Sequence, residues 1–125
     1  MLLSSMDIYA QNIIDHYKHP HNFGILVDAD YQQQELNATC GDDITVFLKF
    51  SGNKLKYLTF TGQGCAISQA GISILSDELI GKTKKQILAY NFEDIKNIFG
   101  VEISARRYNC AMLGLRAIQK AIVVK

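Results

Sequence analysis

Apolar positions change period along the chain, and the changes divide it into elements. Over Asp7–Tyr17, the residues Ile8, Tyr9, Ile13, Ile14 and Tyr17 recur near helical spacing, which predicts a first helix with Asp7 as its N-cap. Its end falls at His19-Pro20-His21-Asn22-Phe23-Gly24, a loop around the only proline of the sequence. Asp28–Leu36 reads as a short edge strand. Ile44, Val46, Leu48 and Phe50 alternate strictly, so Asp43–Phe50 is predicted to be a strand with one buried face. Ser51-Gly52-Asn53 is a turn, and Lys54–Thr61 is the returning strand of a hairpin. That strand breaks phase. Leu55 and Tyr57 fall on one face, Leu58 and Phe60 on the other, as a bulge or burial on both faces would produce.

From Cys65 the period lengthens to about 3.6 residues. Ile67, Ala70, Ile74, Leu75 and Leu79 make the apolar stripe of a helix that Gly81 is expected to end. Thr83–Tyr90 and Phe92–Phe99 follow as two short helices, the second with Asn91 as N-cap. Arg106–Val124 is the last helix: Cys110, Leu113, Ala117 and Ala121 share one stripe, which Leu115, Ile118 and Ile122 widen. A helix, then strands, then helices predicts an α+β domain, a small antiparallel sheet of about three strands packed against several helices.

The length of 125 residues fits one domain spanning 1–125, with core enough to fold without a disulfide or a metal. Thirteen basic and twelve acidic residues leave a net charge of +1, which offers no electrostatic footprint for nucleic acid or for an anionic membrane surface. No apolar run is long enough to span a bilayer, and Met1–Ala10 lacks a signal-peptide pattern, so the expectation is a cytoplasmic domain. No paired carboxylates, Ser-His-Asp set or phosphate loop is visible, and Gly62-x-Gly64 lacks the rest of a dinucleotide fingerprint.

Three cysteines without CxxC spacing are a poor disulfide framework, and each stands at an element junction. Cys40 is followed by Gly41, which permits a left-handed turn, and by Asp42; a thiolate and a carboxylate at i and i+2 around a turn can reach one ion together. Cys65 follows Gly62-Gln63-Gly64 at a helix start, where close backbone approach and the helix N-terminus favour the thiolate. Cys110 follows Arg106 and Arg107, whose charges act in the same direction. Spacing alone leaves two readings open: a metal or sulfur site gathered by the fold, or small buried apolar side chains.

Three motifs narrow the choice. Cys40-Gly41-Asp42, Gly62-x-Gly64-Cys65-Ala66-Ile67-Ser68 and Arg107-x-x-Cys110 resemble, in order, the cysteine motifs of the iron–sulfur cluster assembly scaffolds of the IscU, SufU and NifU N-terminal type. Tyr9 and Asp15-His16-Tyr17-Lys18-His19-Pro20-His21-Asn22-Phe23-Gly24 resemble that family's opening helix and loop, so the likeness runs from Tyr9 to Ile122. The resemblance implies a SufE/NifU-like fold. It also implies a scaffold that binds a transient [2Fe–2S] cluster through Cys40, Asp42, Cys65 and Cys110, supported by Gly41, Gly64 and Arg107. Iron and persulfide sulfur would arrive with the help of a cysteine desulfurase, and the cluster would pass to client apo-proteins. Zinc is the alternative occupant of the same ligands. As a harder donor than thiolate, Asp42 would leave a cluster easier to release.

The pattern also departs from the family's. Ala38 stands where proline is frequent, Asn109 replaces the histidine that IscU-type members place before the third cysteine, and Ile103-Ser104-Ala105 lacks the proline-rich chaperone segment. Arg107 and the Gly-x-Gly-Cys-x-Ile-Ser form lean toward SufU, whereas the 44 residues between Cys65 and Cys110 (110 − 65 − 1) lack the usual SufU insertion. The resemblance therefore carries a second function: a zinc-dependent sulfurtransferase in which Cys40 or Cys110 accepts persulfide sulfur. A purely structural zinc module is the third reading, disfavoured by the carboxylate ligand. His16, His19 and His21 around Pro20 read most simply as a solvated loop, with a second metal site as the other reading. Tyr9 matches a family tyrosine linked to self-association, against half-buried packing as its plainer role. Lys82-Thr83-Lys84-Lys85 reads as a solvated helix start.

Overall fold

The structure, a computed structural model, describes residues 5–38 and 41–124, and the side chains of 10–38 and 41–123. Its elements are α1 (Ser5–Lys18), β1 (Tyr31–Asn37), β2 (Asp42–Ser51), β3 (Lys54–Gln63), α2 (Ala66–Glu78), α3 (Lys84–Leu88), α4 (Phe92–Phe99), a 3-10 turn (Ala105–Arg107) and α5 (Tyr108–Val124). The strands form one antiparallel sheet in the order β1-β2-β3. This is the α+β arrangement expected of the sequence.

The phase break in β3 is a bulge. Lys49 pairs with Tyr57 but Phe50 pairs with Leu55, so Lys56 is the extra residue. The slip brings Leu55 onto the buried side with Leu58 and Phe60 and leaves Lys56 and Tyr57 exposed. Burial on both faces is therefore unnecessary. β1 starts at Tyr31, later than the sequence suggests, because Asp30 takes the Phe50 N–H on its side-chain carboxylate at 2.8 Å. Its inward positions are mostly polar, and Glu35 meets Lys120 of α5 at 2.7 Å.

The helices differ from expectation at their ends. α1 is already helical at Ser5, so Asp7 lies inside the helix and not at its N-cap; its side chain lies outside the described residues. α2 ends at Glu78 with Leu79 as C-cap. Gly81, at φ +88°, turns the chain back onto the sheet and donates its N–H to Leu55 O at 2.8 Å. The last helix begins at Tyr108, and Arg106 and Arg107 sit in the 3-10 turn before it.

α2 is the central helix, buried from Ser68 through Ser76, with α1 and α5 packed against it. At Gly71 a Cβ would stand 2.7 Å from Phe99 Cζ, so glycine admits the α4 ring. The loop after α1 closes the outer edge of β3: Gly24 N–H donates to Phe60 O at 2.8 Å, and Phe60 N–H to Asn22 O at 3.2 Å. Among the described residues no helix is long and apolar enough to cross a membrane.

Candidate functional site

One end of the sheet collects the chemistry. There β1 ends at Asn37, which pairs with Asp42 at the start of β2, and β3 ends at Gln63. Gly64 leads to Cys65, the N-cap of α2, and Cys110 lies in the first turn of α5. A carboxylate oxygen of Asp42 and the sulfurs of Cys65 and Cys110 all lie within 4.8 Å of one another. Cys40, in the connection between β1 and β2, lies outside the described residues. Asp42 and Cys110 are buried, at 1% exposure each, while Cys65 is half-buried.

A buried carboxylate needs donors, and Asp42 has them on both oxygens. Cys65 N–H donates to Oδ1 at 2.9 Å. The Ser68 hydroxyl lies 3.2 Å from the same oxygen and 3.0 Å from Cys65 O, one of which takes its proton. On the other side, Asn37 Nδ2 donates to Oδ2 at 3.2 Å and reaches Cys110 Sγ at 3.6 Å. The approach is close because residue 64 has no side chain. A Cβ there would stand 2.2 Å from Asp42 Oδ1, and its φ is +155°. Gly41, at φ +69°, supplies the left-handed turn into β2 that the sequence suggests.

Electrostatics at Cys65 favour the thiolate. Burial pushes the Cys65 thiol up, but the Ser68 backbone N–H, Cys110 and the Ser68 hydroxyl outweigh it, so the net shift is downward against the opposing charge of Asp42. The exposed Arg107 guanidinium is drawn further to its charged form, first by Cys65 and then by Cys110. The charge of Arg107, three residues before Cys110, therefore acts on both sulfurs. Two buried cysteines, or one buried and one half-buried, without a nearby cation would be simple packing; this arrangement has a cation and a carboxylate.

Asn37 and Ser68 are the site residues that sequence reasoning passes over. Ser68 carried a usable signal, since a serine at the third position after an N-cap points back toward the helix start. Asn37 becomes visible only through its register opposite Asp42. Asn109 stays outside the cluster: it is exposed, and its Oδ1 accepts from Arg116 Nη1 at 3.2 Å. Tyr9's side chain lies outside the described residues. The basic run is divided in use, with Thr83 capping α3 and Lys84 Nζ donating to Tyr31 Oη at 2.6 Å.

The histidines behave differently from a solvated loop. His19 is exposed, but His16 is buried and stacks near His21, ring centroids 4.2 Å apart. His16 Nδ1 lies 2.7 Å from Ser73 Oγ, and His21 Nδ1 lies 2.5 Å from Asp77 Oδ2. Burial and then His21 hold His16 below its ordinary pKa, against the pull of Asp77 and Asp15.

Comparison with known proteins covers almost the whole chain. The model of the NifU-like N-terminal domain matches residues 8–124. The chain is 31% identical to the iron–sulfur cluster assembly scaffold protein IscU of Streptococcus pyogenes, over 98% of this chain and 87% of that protein. It is also 31% identical to the zinc-dependent sulfurtransferase SufU of Bacillus subtilis, over 92% of this chain and 89% of that one. A crystal structure of an iron–sulfur cluster assembly scaffold protein of the SUF system from Fervidobacterium islandicum superposes with a TM-score of 0.76 at 28% identity, covering 95% of this chain and 99% of that one. With a family model that spans the helix, the sheet and all three cysteine motifs, the chain belongs to the NifU-like N-terminal domain family of IscU- and SufU-type proteins.

Proposed function

We propose that the chain is an iron–sulfur cluster assembly scaffold whose cargo, a transient [2Fe–2S] cluster, is held by Cys40, Asp42, Cys65 and Cys110 and passed to client apo-proteins. The observation that carries the reading is the meeting of Asp42, Cys65 and Cys110 ligand atoms within 4.8 Å, drawn from three separate elements. Two thiolates and a carboxylate, completed by the Cys40 thiolate, suit tetrahedral zinc or two iron ions with two terminal ligands each. Zinc is the alternative occupant. Within the chain, Asn37, Ser68 and the Cys65 N–H hold the carboxylate in place, and Arg107 offsets the negative charge that thiolates and cargo bring together. A cysteine desulfurase is the partner that would supply sulfur.

The second reading, a zinc-dependent sulfurtransferase, is favoured by the likeness to SufU and by the cation beside the sulfurs. In it a cysteine thiolate attacks the outer sulfur of the desulfurase persulfide. The new S–S bond forms as the old one breaks, and the desulfurase cysteine leaves as thiolate, with no net oxidation. Cys110, at 1% exposure, suits a held ligand better than an attacking group, which makes Cys40 the preferred acceptor.

One experiment separates the two. Anaerobic reconstitution with iron and sulfide is expected to give a [2Fe–2S] absorption spectrum in the wild type, and a longer-lived one in Asp42→Ala. Uptake of zinc alone, together with desulfurase stimulation that disappears in Cys40→Ser, would transfer the assignment to the sulfurtransferase.

A further inference from the structure

The last turn of α1, the loop after Pro20 and the last turn of α2 bring together His16, His21 and Asp77, whose ligand atoms lie within 4.8 Å of one another. Asp77 stands twelve residues beyond Cys65 (77 − 65), about 18 Å along α2 at the helical rise, so this cluster is separate from the sulfur site. We propose that His16, His21 and Asp77 form a second, open binding site for a divalent transition-metal ion of the zinc, cobalt or nickel class.

Three features favour an ion over simple packing. First, the donors are of the right type: imidazole nitrogens with a carboxylate suit these metals, and hard cations such as magnesium prefer all-oxygen shells. Second, each ring is already oriented through one nitrogen. Ser73 Oγ engages His16 Nδ1 and Asp77 Oδ2 engages His21 Nδ1, so both rings are held in place before an ion arrives. Asp77 is itself fixed, since Asn22 Nδ2 donates to its Oδ1 at 2.9 Å, and Asn22 adopts φ +58° to do so. Third, the cluster opens on a cleft of about 310 Å³ lined by His16, Asp77 and Glu78 with Ile74 and Ile98, room for the waters that complete a coordination shell.

Cobalt(II) titration of the full chain tests the proposal, because the two sites differ in signature. Binding at the sulfur site raises a thiolate-to-cobalt charge-transfer band. Binding at the histidines does not raise it, and instead shifts and broadens the ring-proton NMR signals of His16 and His21. The wild type is expected to give both events. His21→Ala is expected to keep the first and lose the second, His19→Ala to keep both, and Asp77→Asn to weaken the second. His21 is half exposed, so its replacement leaves the core alone. A titration that moves neither ring signal, or a second event that survives in His21→Ala, overturns the proposal and leaves the cluster as a pin between the loop and α2. Loss of the thiolate band with the ring shifts intact would count against the sulfur site and support this one.

Discussion

At Gly64 a single methyl group would reach the chemistry directly. Its Cβ would lie 2.2 Å from Asp42 Oδ1 and 2.8 Å from Ser68 Oγ, on a backbone of φ +155° that side chains rarely adopt. Gly64→Ala is therefore expected to displace the carboxylate and weaken zinc binding at least tenfold, read by competition with a chromophoric chelator. Urea unfolding should show a loss of about 1–3 kcal/mol from the strained conformation. An unchanged zinc affinity would show that Asp42 is not a ligand. At this scale Asp42, Cys65 and Cys110, which the fold brings within 4.8 Å, stood out in the sequence, because cysteine, glycine and aspartate are unusual together at junctions. Of the supports, Ser68 had its place at a helix start as a signal and Asn37 had none: Asn37 is an ordinary polar residue whose value comes from a partner that only the folded chain brings near, Cys110, 73 positions away in sequence.

At the scale of elements, local chemistry predicted some boundaries and missed others. Asn91 caps α4 as its sequence suggests: its Oδ1 accepts Asp94 N–H at 3.2 Å, and Asp94 Oδ2 accepts the Asn91 N–H at 2.8 Å. Asn91→Ala is expected to cost about 1 kcal/mol in chemical denaturation, with the fold and ion binding unchanged. The bulge at Lys56 shows what periodicity cannot supply. Alternation gave two conflicting phases for β3, and the choice between them was made by pairing with β2, a non-local partner. The start of β1 is similar: Asp30 ends the loop by side-chain bonding to Phe50, and no window of the sequence around it contains that residue's amide.

At the scale of the whole molecule, the buried apolar side chains form one cluster reaching from Ile13 in α1 to Ile122 in α5, with α2 and the sheet between them. Such a core does not depend on an ion, unlike that of a small zinc finger. Stripping metal with a chelator is therefore expected to lower the melting temperature without unfolding the chain. Restoring zinc at about 100 times its dissociation constant should return about 2.7 kcal/mol, several degrees in melting temperature. Cys110→Ser should show no such rise. Complete unfolding on chelation, followed by far-UV circular dichroism, would contradict the picture of an independent core. The overall class was legible because the change of period from strands to helices spans the chain; the convergence of three junctions at one sheet end was not, since it follows from topology.

The bond from Cys65 N–H to Asp42 Oδ1 joins the entry of α2 to the carboxylate proposed as ligand. Occupancy of the site and opening of that helix start therefore draw on the same carboxylate, and the backbone amide of Cys65 becomes a built-in reporter of cargo. Amide hydrogen exchange at Cys65 should slow when the site is filled, while amides in the middle of α2 keep their rates. Equal rates with and without cargo would mean that the carboxylate serves the helix and not the ion.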